Sequence, residues 1–273
     1  SGSWEFEDFL DDSGPGTEPV RFHVRVTIDD SDIEFDFSAS SDEVSAGMNS
    51  YYNFTRAWGN FTAMALARAV MPQNEGTIRP IKITAREGSF FNAVHPAPSG
   101  GRATNQVRLF EVVNGALAEA IPHRAMGAFT HWSNPNIGGI DDRTGKPFVQ
   151  YDLLFGGYGG QHDKDGEEGM APLMNCTNIP VEVYEHAGPL LVERLELMAD
   201  SAGAGKYRGG LGLRKDVRVR CRDATATMLT DRRKHAPFGV FGGKSGKRAQ
   251  ITLLRAGELM ELETKETCRL ELG

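Results

Sequence analysis

The chain has 273 residues, a formal net charge of −7, 40% hydrophobic and 25% charged residues. This is the balance of a soluble globular protein that buries about three quarters of its unfolded surface, and its acidity argues against a general nucleic-acid binder, whose footprint is basic. The longest apolar-leaning run, near Phe61 to Met71, is broken by Arg68 and falls short of the ~20 residues that cross a bilayer, which excludes a membrane-spanning helix.

Taken in chain order, R-F-H-V-R-V-T-I-D-D-S-D-I-E-F-D-F over 21–37 alternates strictly and predicts a half-buried hairpin turning at Asp29 to Asp32, with His23 on its solvent face. Asn49 or Ser50 can cap a helix running to about Met71, with Phe54, Trp58, Phe61, Ala65 and Val70 on its stripe and Pro72 as its stop. Pro80 opens a short strand, I-K-I-T. A second helix is expected from Ala103 or Thr104 to Ala120, carrying Val107, Phe110, Val113, Leu117 and Ile121 on one face before Pro122. Beyond Pro122 the texture turns to loops around S-N-P-N-I-G-G and to short strands at F-V-Q-Y-D-L-L-F, V-E-V-Y, L-V-E-R-L-E-L-M, D-V-R-V-R-C-R and A-T-A-T-M-L-T. A hairpin, Q-I-T-L-L-R-A-G-E-L-M-E-L, closes the series. The expectation is an α+β fold of mostly antiparallel strands with two main helices in the first half. It divides into a hairpin-plus-helices region at 1–122 and a Gly-rich, mostly β region at 123–273, together one compact unit.

Few motifs carry chemistry outright. Cys176, Cys221 and Cys268 are widely spaced with no C-x-x-C, so neither a disulfide framework nor a cysteine zinc site is supported, and reduced cytoplasmic thiols fit best. Seven histidines show no i, i+4 pair and no H-E-x-x-H, so no metal ligands are assigned. Q-H-D-K-D-G-E-E-G lacks the spacing of a calcium loop and reads as a solvated loop. G-G-K-S at 242–245 ends like a phosphate loop, but the first glycine would have to be residue 238, which is Phe238, and a strand rather than a helix follows. The glycine run D-S-A-G-A-G-K-Y-R-G-G-L-G, 200–212, either cradles an anion with Lys206 and Arg208 or serves as a tight turn between strands. The arginines of D-V-R-V-R-C-R, with Arg214 and Lys215 before them, read as the wet face of a strand. T-H-W-S-N-P-N supplies the densest polar loop cluster, His131, Asn134 and Asn136, where function and turn chemistry compete.

Several stretches in order, E-F-E-D-F-L-D-D, R-P-I-K-I-T-A-R-E-G-S-F-F-N, P-V-E-V-Y-E, D-S-A-G-A-G-K-Y-R-G-G-L-G-L and T-D-R-R-K-H-A-P-F-G-V-F-G-G-K-S-G, resemble the hydantoinase B/oxoprolinase family over nearly the whole chain. The resemblance implies the C-terminal half of a B-type component of ATP-dependent enzymes that open cyclic amides such as hydantoins and 5-oxoproline. The alternatives are a component of an acetone- or acetophenone-type ketone carboxylase, or a non-catalytic assembly subunit. It further implies that ATP with Mg sits on a partner A subunit, that a divalent metal lies in an N-terminal half not included in this sequence, that this chain itself holds no cofactor, and that alone it is inactive. T-A-R-E-G-S stands where the family often has T-A-P-E-G-S, so substrate identity is not carried over. The residues selected are His131, Asn134, Asp231 and Arg232 for catalysis, and Asp200, Ser201, Lys206, Arg208, Phe238 and Phe241 for substrate or interface contacts.

Overall fold

The structure, a computed structural model, describes residues 1–67, 72–171 and 173–272. Its contacts divide the chain into two units, the first made of Ser1–Ser13, Glu18–Gly127 and Gln161–Asp163, the second of Gly14–Thr17, Ala128–Gly160 and Lys164–Gly273.

In the first unit the alternating segment forms the expected hairpin, β2 (Val20–Asp29) with β3 (Asp32–Asp36). β1 (Gly2–Leu10) pairs antiparallel on one side of it and β4 (Ile81–Thr84) parallel on the other, in the order β1-β2-β3-β4. The inward residues Phe22, Val24, Val26 and Phe35 are fully buried with Phe37, Phe90 and Phe91. Phe22 meets Phe91 edge-on at 4.8 Å and Phe90 at 5.1 Å. Each such side chain contributes roughly 1.5–3 kcal/mol on burial, and each ring pair about 0.5–1.5 kcal/mol more. His23 departs from expectation, since it is 8% exposed. Ser40 folds back over the strand, donating to His23 O and accepting from His23 N–H, while Glu5 Oε2 stands 3.4 Å from its Nε2.

Both long helices exist, α1 (Tyr52–Ala67) and α3 (Arg102–Leu117), with one turn of helix, α2 (Glu75–Ile78), between them. The expected tail of α1, Arg68 to Met71, lies outside the described residues. Its buried face is not the aromatic stripe but Thr55, Gly59, Thr62 and Leu66. Small residues let it approach β4 closely, for a Cβ on Gly59 would stand 2.4 Å from Ile83 Cδ1, and Phe61 is left on the outer side against Trp58. α3 packs against β1, β2 and α1, and it is buried nearly all round rather than on one stripe. Asn105, Gln106, Arg108, Glu111 and Asn114 are as buried as Val107 and Val113. Buried polar groups are tolerable only when bonded: Asn105 Nδ2 donates to Met48 O, Gln106 Nε2 to Ser50 Oγ and Asn114 Nδ2 to Met126 O.

The second unit centres on an antiparallel sheet ordered β12-β9-β5-β6, from β5 (Asn136–Asp141), β6 (Lys146–Tyr151), β9 (Ala224–Thr227) and β12 (Thr267–Leu270). Ile137, Ala224, Ala226 and Leu270 cluster with Tyr184, Leu190, Val219 and Cys221 as its core. Gly138 and Gly139, expected in a loop, lie within β5. Two hairpins accompany the sheet: β7 (Leu190–Leu197) with β8 (Leu213–Val219), and β10 (Thr252–Arg255) with β11 (Glu258–Glu261). The second turns at Ala256-Gly257 with φ of 50° and 86°, the backbone of a tight hairpin turn. V-E-V-Y, expected as a strand, belongs to a short helix, α4 (Val181–Ala187). Pro180 sets its entry and accepts the Tyr184 N–H, so the Val181/Val183 alternation is not strand pleating. The α+β class and the mostly antiparallel pairing hold, β3 with β4 being the parallel exception among the described strands.

Candidate functional site

The polar loop T-H-W-S-N is an extended, buried segment of the second unit, bonded along both edges. Thr130 N–H donates to Gly157 O, and Ser133 and Leu154 exchange both main-chain bonds. On the other edge Ala128 N–H donates to Phe238 O and Asn134 N–H to Leu229 O. The segment 228–232 in turn runs beside 264–266, with Met228 N–H on Glu266 O and Thr230 N–H on Thr264 O. Main-chain pairing therefore brings the His131/Asn134 segment alongside the Asp231/Arg232 segment, although about 100 residues separate them. All four side chains are buried: His131 at 6% exposure, Asn134 at 0%, Asp231 at 3% and Arg232 at 1%.

Three of the four have defined contacts. Lys265 Nζ lies 3.7 Å from Asp231 Oδ1, both side chains being buried. Arg232 adopts φ of 71°, a left-handed conformation rare outside glycine, and its Nη1 is 3.4 Å from Ala236 O. Asn134 donates Nδ2 to Asp152 O at 2.7 Å, which leaves Oδ1 as an acceptor with no hydrogen-bond partner among the described residues. Asn136 Nδ2 donates back to Asn134 O and plays a turn role. A titratable imidazole, a guanidinium, an ion-paired carboxylate and an oriented amide are groups that move protons and hold developing negative charge.

Charged side chains buried by tertiary partners escaped sequence reading. Lys215, counted with the arginines on the wet face, points inward from β8, with its Nζ 2.5 Å from Asp152 Oδ2 and 3.5 Å from the centre of the Tyr184 ring. Burial, and then the Asp152 charge, pushes the Tyr184 hydroxyl well above its ordinary range. Only the parity of Lys215 with Val217 and Val219, opposite to that of Arg214 and Arg218, signalled this. In the first unit, Arg108 Nη1 binds Asp8 Oδ2 at 2.9 Å and its Nε stands 3.0 Å from Glu111 Oε2, all fully or nearly fully buried. The i, i+3 spacing of Arg108 and Glu111 was the available signal.

The second group of selected residues does not converge. Ser201 Oγ donates to Met198 O and accepts Gly212 N–H, closing the turn in which Asp200 takes φ of 56°. Arg208 is paired with Glu168 at 2.7 Å and Asp165 at 3.9 Å, Lys206 lies over the Tyr207 ring, and Phe241 is exposed. Phe238 takes part through its carbonyl, the acceptor of Ala128 N–H. The glycine run packs main chain on main chain rather than around an anion: a Cβ on Gly203 would stand 2.1 Å from Lys244 O, and one on Gly210 2.1 Å from Glu167 O. Toward its C-terminal end Arg208 N–H donates to Asp165, Gly209 N–H to Gly203 O and Gly210 N–H to Tyr158 O. G-G-K-S is the other side of this contact, with Lys244 N–H on Ala204 O and Lys247 N–H on Ser201 O, and the strand β10 follows it. Those residues do not fit a nucleotide phosphate. Among the described residues no three His, Cys, Asp or Glu side chains are grouped as metal ligands, and no helix is long and apolar enough to cross a membrane.

The family described as Hydantoinase B/oxoprolinase matches residues 1–273. The chain is 29% identical to 5-oxoprolinase 1 of Arabidopsis thaliana over 98% of its own length and 20% of that protein's. The crystal structure of the ATP-dependent caprolactamase from Pseudomonas jessenii superposes with a TM-score of 0.87 at 25% identity, covering 100% of this chain and 49% of that one. A nucleotide-free acetone carboxylase shares the fold, with a TM-score of 0.77 at 18% identity over 91% of this chain and 36% of that one. The chain spans less than half the length of the curated relatives it matches.

Proposed function

The chain belongs to the hydantoinase B/oxoprolinase family, and from that premise we propose that it is the C-terminal part of the B-type component of an ATP-dependent cyclic-amide hydrolase. The observation that carries this reading is the likeness of the whole chain to about half of a caprolactamase. On this reading the chain is inactive alone and works with an ATP-binding A-type subunit and the remainder of the B-type polypeptide, in the cytoplasm, where its three free thiols stay reduced.

Opening an unstrained lactam has a high barrier because amide resonance is lost at the transition state. Transfer of a phosphoryl group from ATP on the partner to the amide oxygen, with ADP leaving, makes the ring carbon electrophilic; water adds there, the C–N bond breaks as the ring nitrogen takes a proton, and a second water hydrolyses the resulting acyl phosphate to the open acid and phosphate. This chain's part is to bind and to orient. Arg232, fixed by its backbone conformation, faces the negative charge, Asn134 Oδ1 accepts the ring N–H, and His131 carries a proton while Asp231, held by Lys265, balances the local charge.

The test is reconstitution. The chain by itself should release no ADP. Assembled with the rest of the B-type polypeptide and the A-type subunit, it should release ADP in step with hydantoin, 5-oxoproline or caprolactam. Turnover by the isolated chain would refute the division of labour. Bicarbonate consumption with a ketone and indifference to cyclic amides would establish the carboxylase reading instead. Full activity after alanine replacement of His131, Asn134, Asp231 and Arg232 would reduce the chain to an assembly role.

A further inference from the structure

Lys215 is a costly residue to bury, and nothing in the reaction proposed above uses it. Its ammonium is 5% exposed, with the 1%-exposed Asp152 carboxylate against one side and the face of the Tyr184 ring against another. The three residues come from different elements: Lys215 from β8, Tyr184 from α4, and Asp152 from the residue that follows β6. An ion pair in such a place stabilises little in net terms, because desolvation offsets most of the attraction, yet it is highly specific about position. Asp152 is pinned from a second direction by its main chain, with its N–H on Pro135 O and its carbonyl receiving Asn134 Nδ2 at 2.7 Å. That single carbonyl decides which way the Asn134 amide faces. Once Nδ2 is committed to it, Oδ1 is left as a fully buried acceptor without a partner among the described residues.

We propose that Lys215 is a positioning residue: clamped between Asp152 and the Tyr184 ring, it fixes the Asp152 carbonyl and so aims Asn134 Oδ1 at the substrate. The inference rests on the reading of Asn134 as a site residue. It assigns to Lys215 and Tyr184 no contact with substrate, and it makes the ring face of Tyr184, not its hydroxyl, the working part.

The experiment is a double-mutant cycle on the assembled enzyme, with kcat and KM measured for ADP release driven by the cyclic amide. Lys215→Met should lower kcat on the order of tenfold to a hundredfold, the scale of a misplaced group near the reacting centre, with KM little changed. Added to Asn134→Ala, it should lower kcat no further, because both changes remove the same orientation. Tyr184→Phe keeps the ring and should stay within about twofold of the parent, whereas Tyr184→Leu should follow Lys215→Met. Since Lys215→Met strands a buried carboxylate, Lys215→Met/Asp152→Asn is the companion variant: it should recover the thermal midpoint but not kcat. Recovery of kcat along with the midpoint would overturn the proposal and leave the pair structural. Additive losses in the cycle, or unchanged kcat for Lys215→Met, would also overturn it while leaving Asn134 in the site. A fully active Asn134→Ala enzyme would overturn the site reading and the clamp together.

Discussion

Gly210→Ala tests whether the glycine run is a packing device. A Cβ at Gly210 would lie 2.1 Å from Glu167 O, 2.8 Å from Glu167 C and 3.0 Å from Gly157 Cα, so the 166–168 strand of chain must retreat by about 1 Å to reach ordinary contact. That strand is not free to do so. Tyr158 N–H donates to Glu167 O, Gly166 N–H to Arg208 O and Gly210 N–H to Tyr158 O, each at 2.8 Å. Overpacking of this kind costs about 1–3 kcal/mol, and one buried main-chain bond left unmade about 1–3 kcal/mol more, so the expected loss is roughly 2–6 kcal/mol. Against a typical total of ~5–15 kcal/mol that is a large fraction. Urea unfolding followed by far-ultraviolet circular dichroism measures it, with Gly145→Ala as control. Gly145 has φ of 69° and open space around its would-be Cβ, so its replacement should cost only about 1–2 kcal/mol of backbone strain. A Gly210→Ala loss no greater than that of Gly145→Ala would refute the packing argument and reopen the run as a ligand cradle.

Tyr184→Phe should flatten the alkaline limb of stability. Its raised pKa keeps the folded hydroxyl neutral while the unfolded one ionises near 10, so the contribution is complete below that pH and declines by about 1.4 kcal/mol per unit above it. Equal slopes for parent and variant between pH 10 and 11 would contradict this. Lys265→Met removes the cation beside buried Asp231 and should cost on the order of 3 kcal/mol by thermal or chemical melting, more than any single exposed pair. Arg218→Ala, on the exposed face of β8 and paired with half-exposed Glu193, should change stability by less than about 0.5 kcal/mol. His131→Ala in the assembled enzyme should lower kcat by about 10²–10⁴-fold if its imidazole moves a proton, and a pH profile that loses one limb would identify that proton.

The legible parts of this protein are those governed by near neighbours in sequence. The alternation around Phe22 to Phe35 and the turn at Ala256-Gly257 act through backbone geometry within a few residues, and the ordered motifs disclosed the family. The rejection of a phosphate loop at G-G-K-S was equally local, a matter of one residue of spacing and the strand that follows. Which faces meet water, by contrast, was set by long-range packing. α1 buries Thr55, Gly59 and Thr62 instead of its aromatics, because close approach to Ile83 rewards small side chains. α3 buries Arg108 and Glu111, because Asp8, about 100 residues away, neutralises what desolvation would otherwise forbid. Lys215 turns inward for the same reason, having Asp152 and Tyr184 to meet. A charge can be buried only where distant parts of the chain supply its partner, and that pairing is a property of the fold rather than of any window of the sequence.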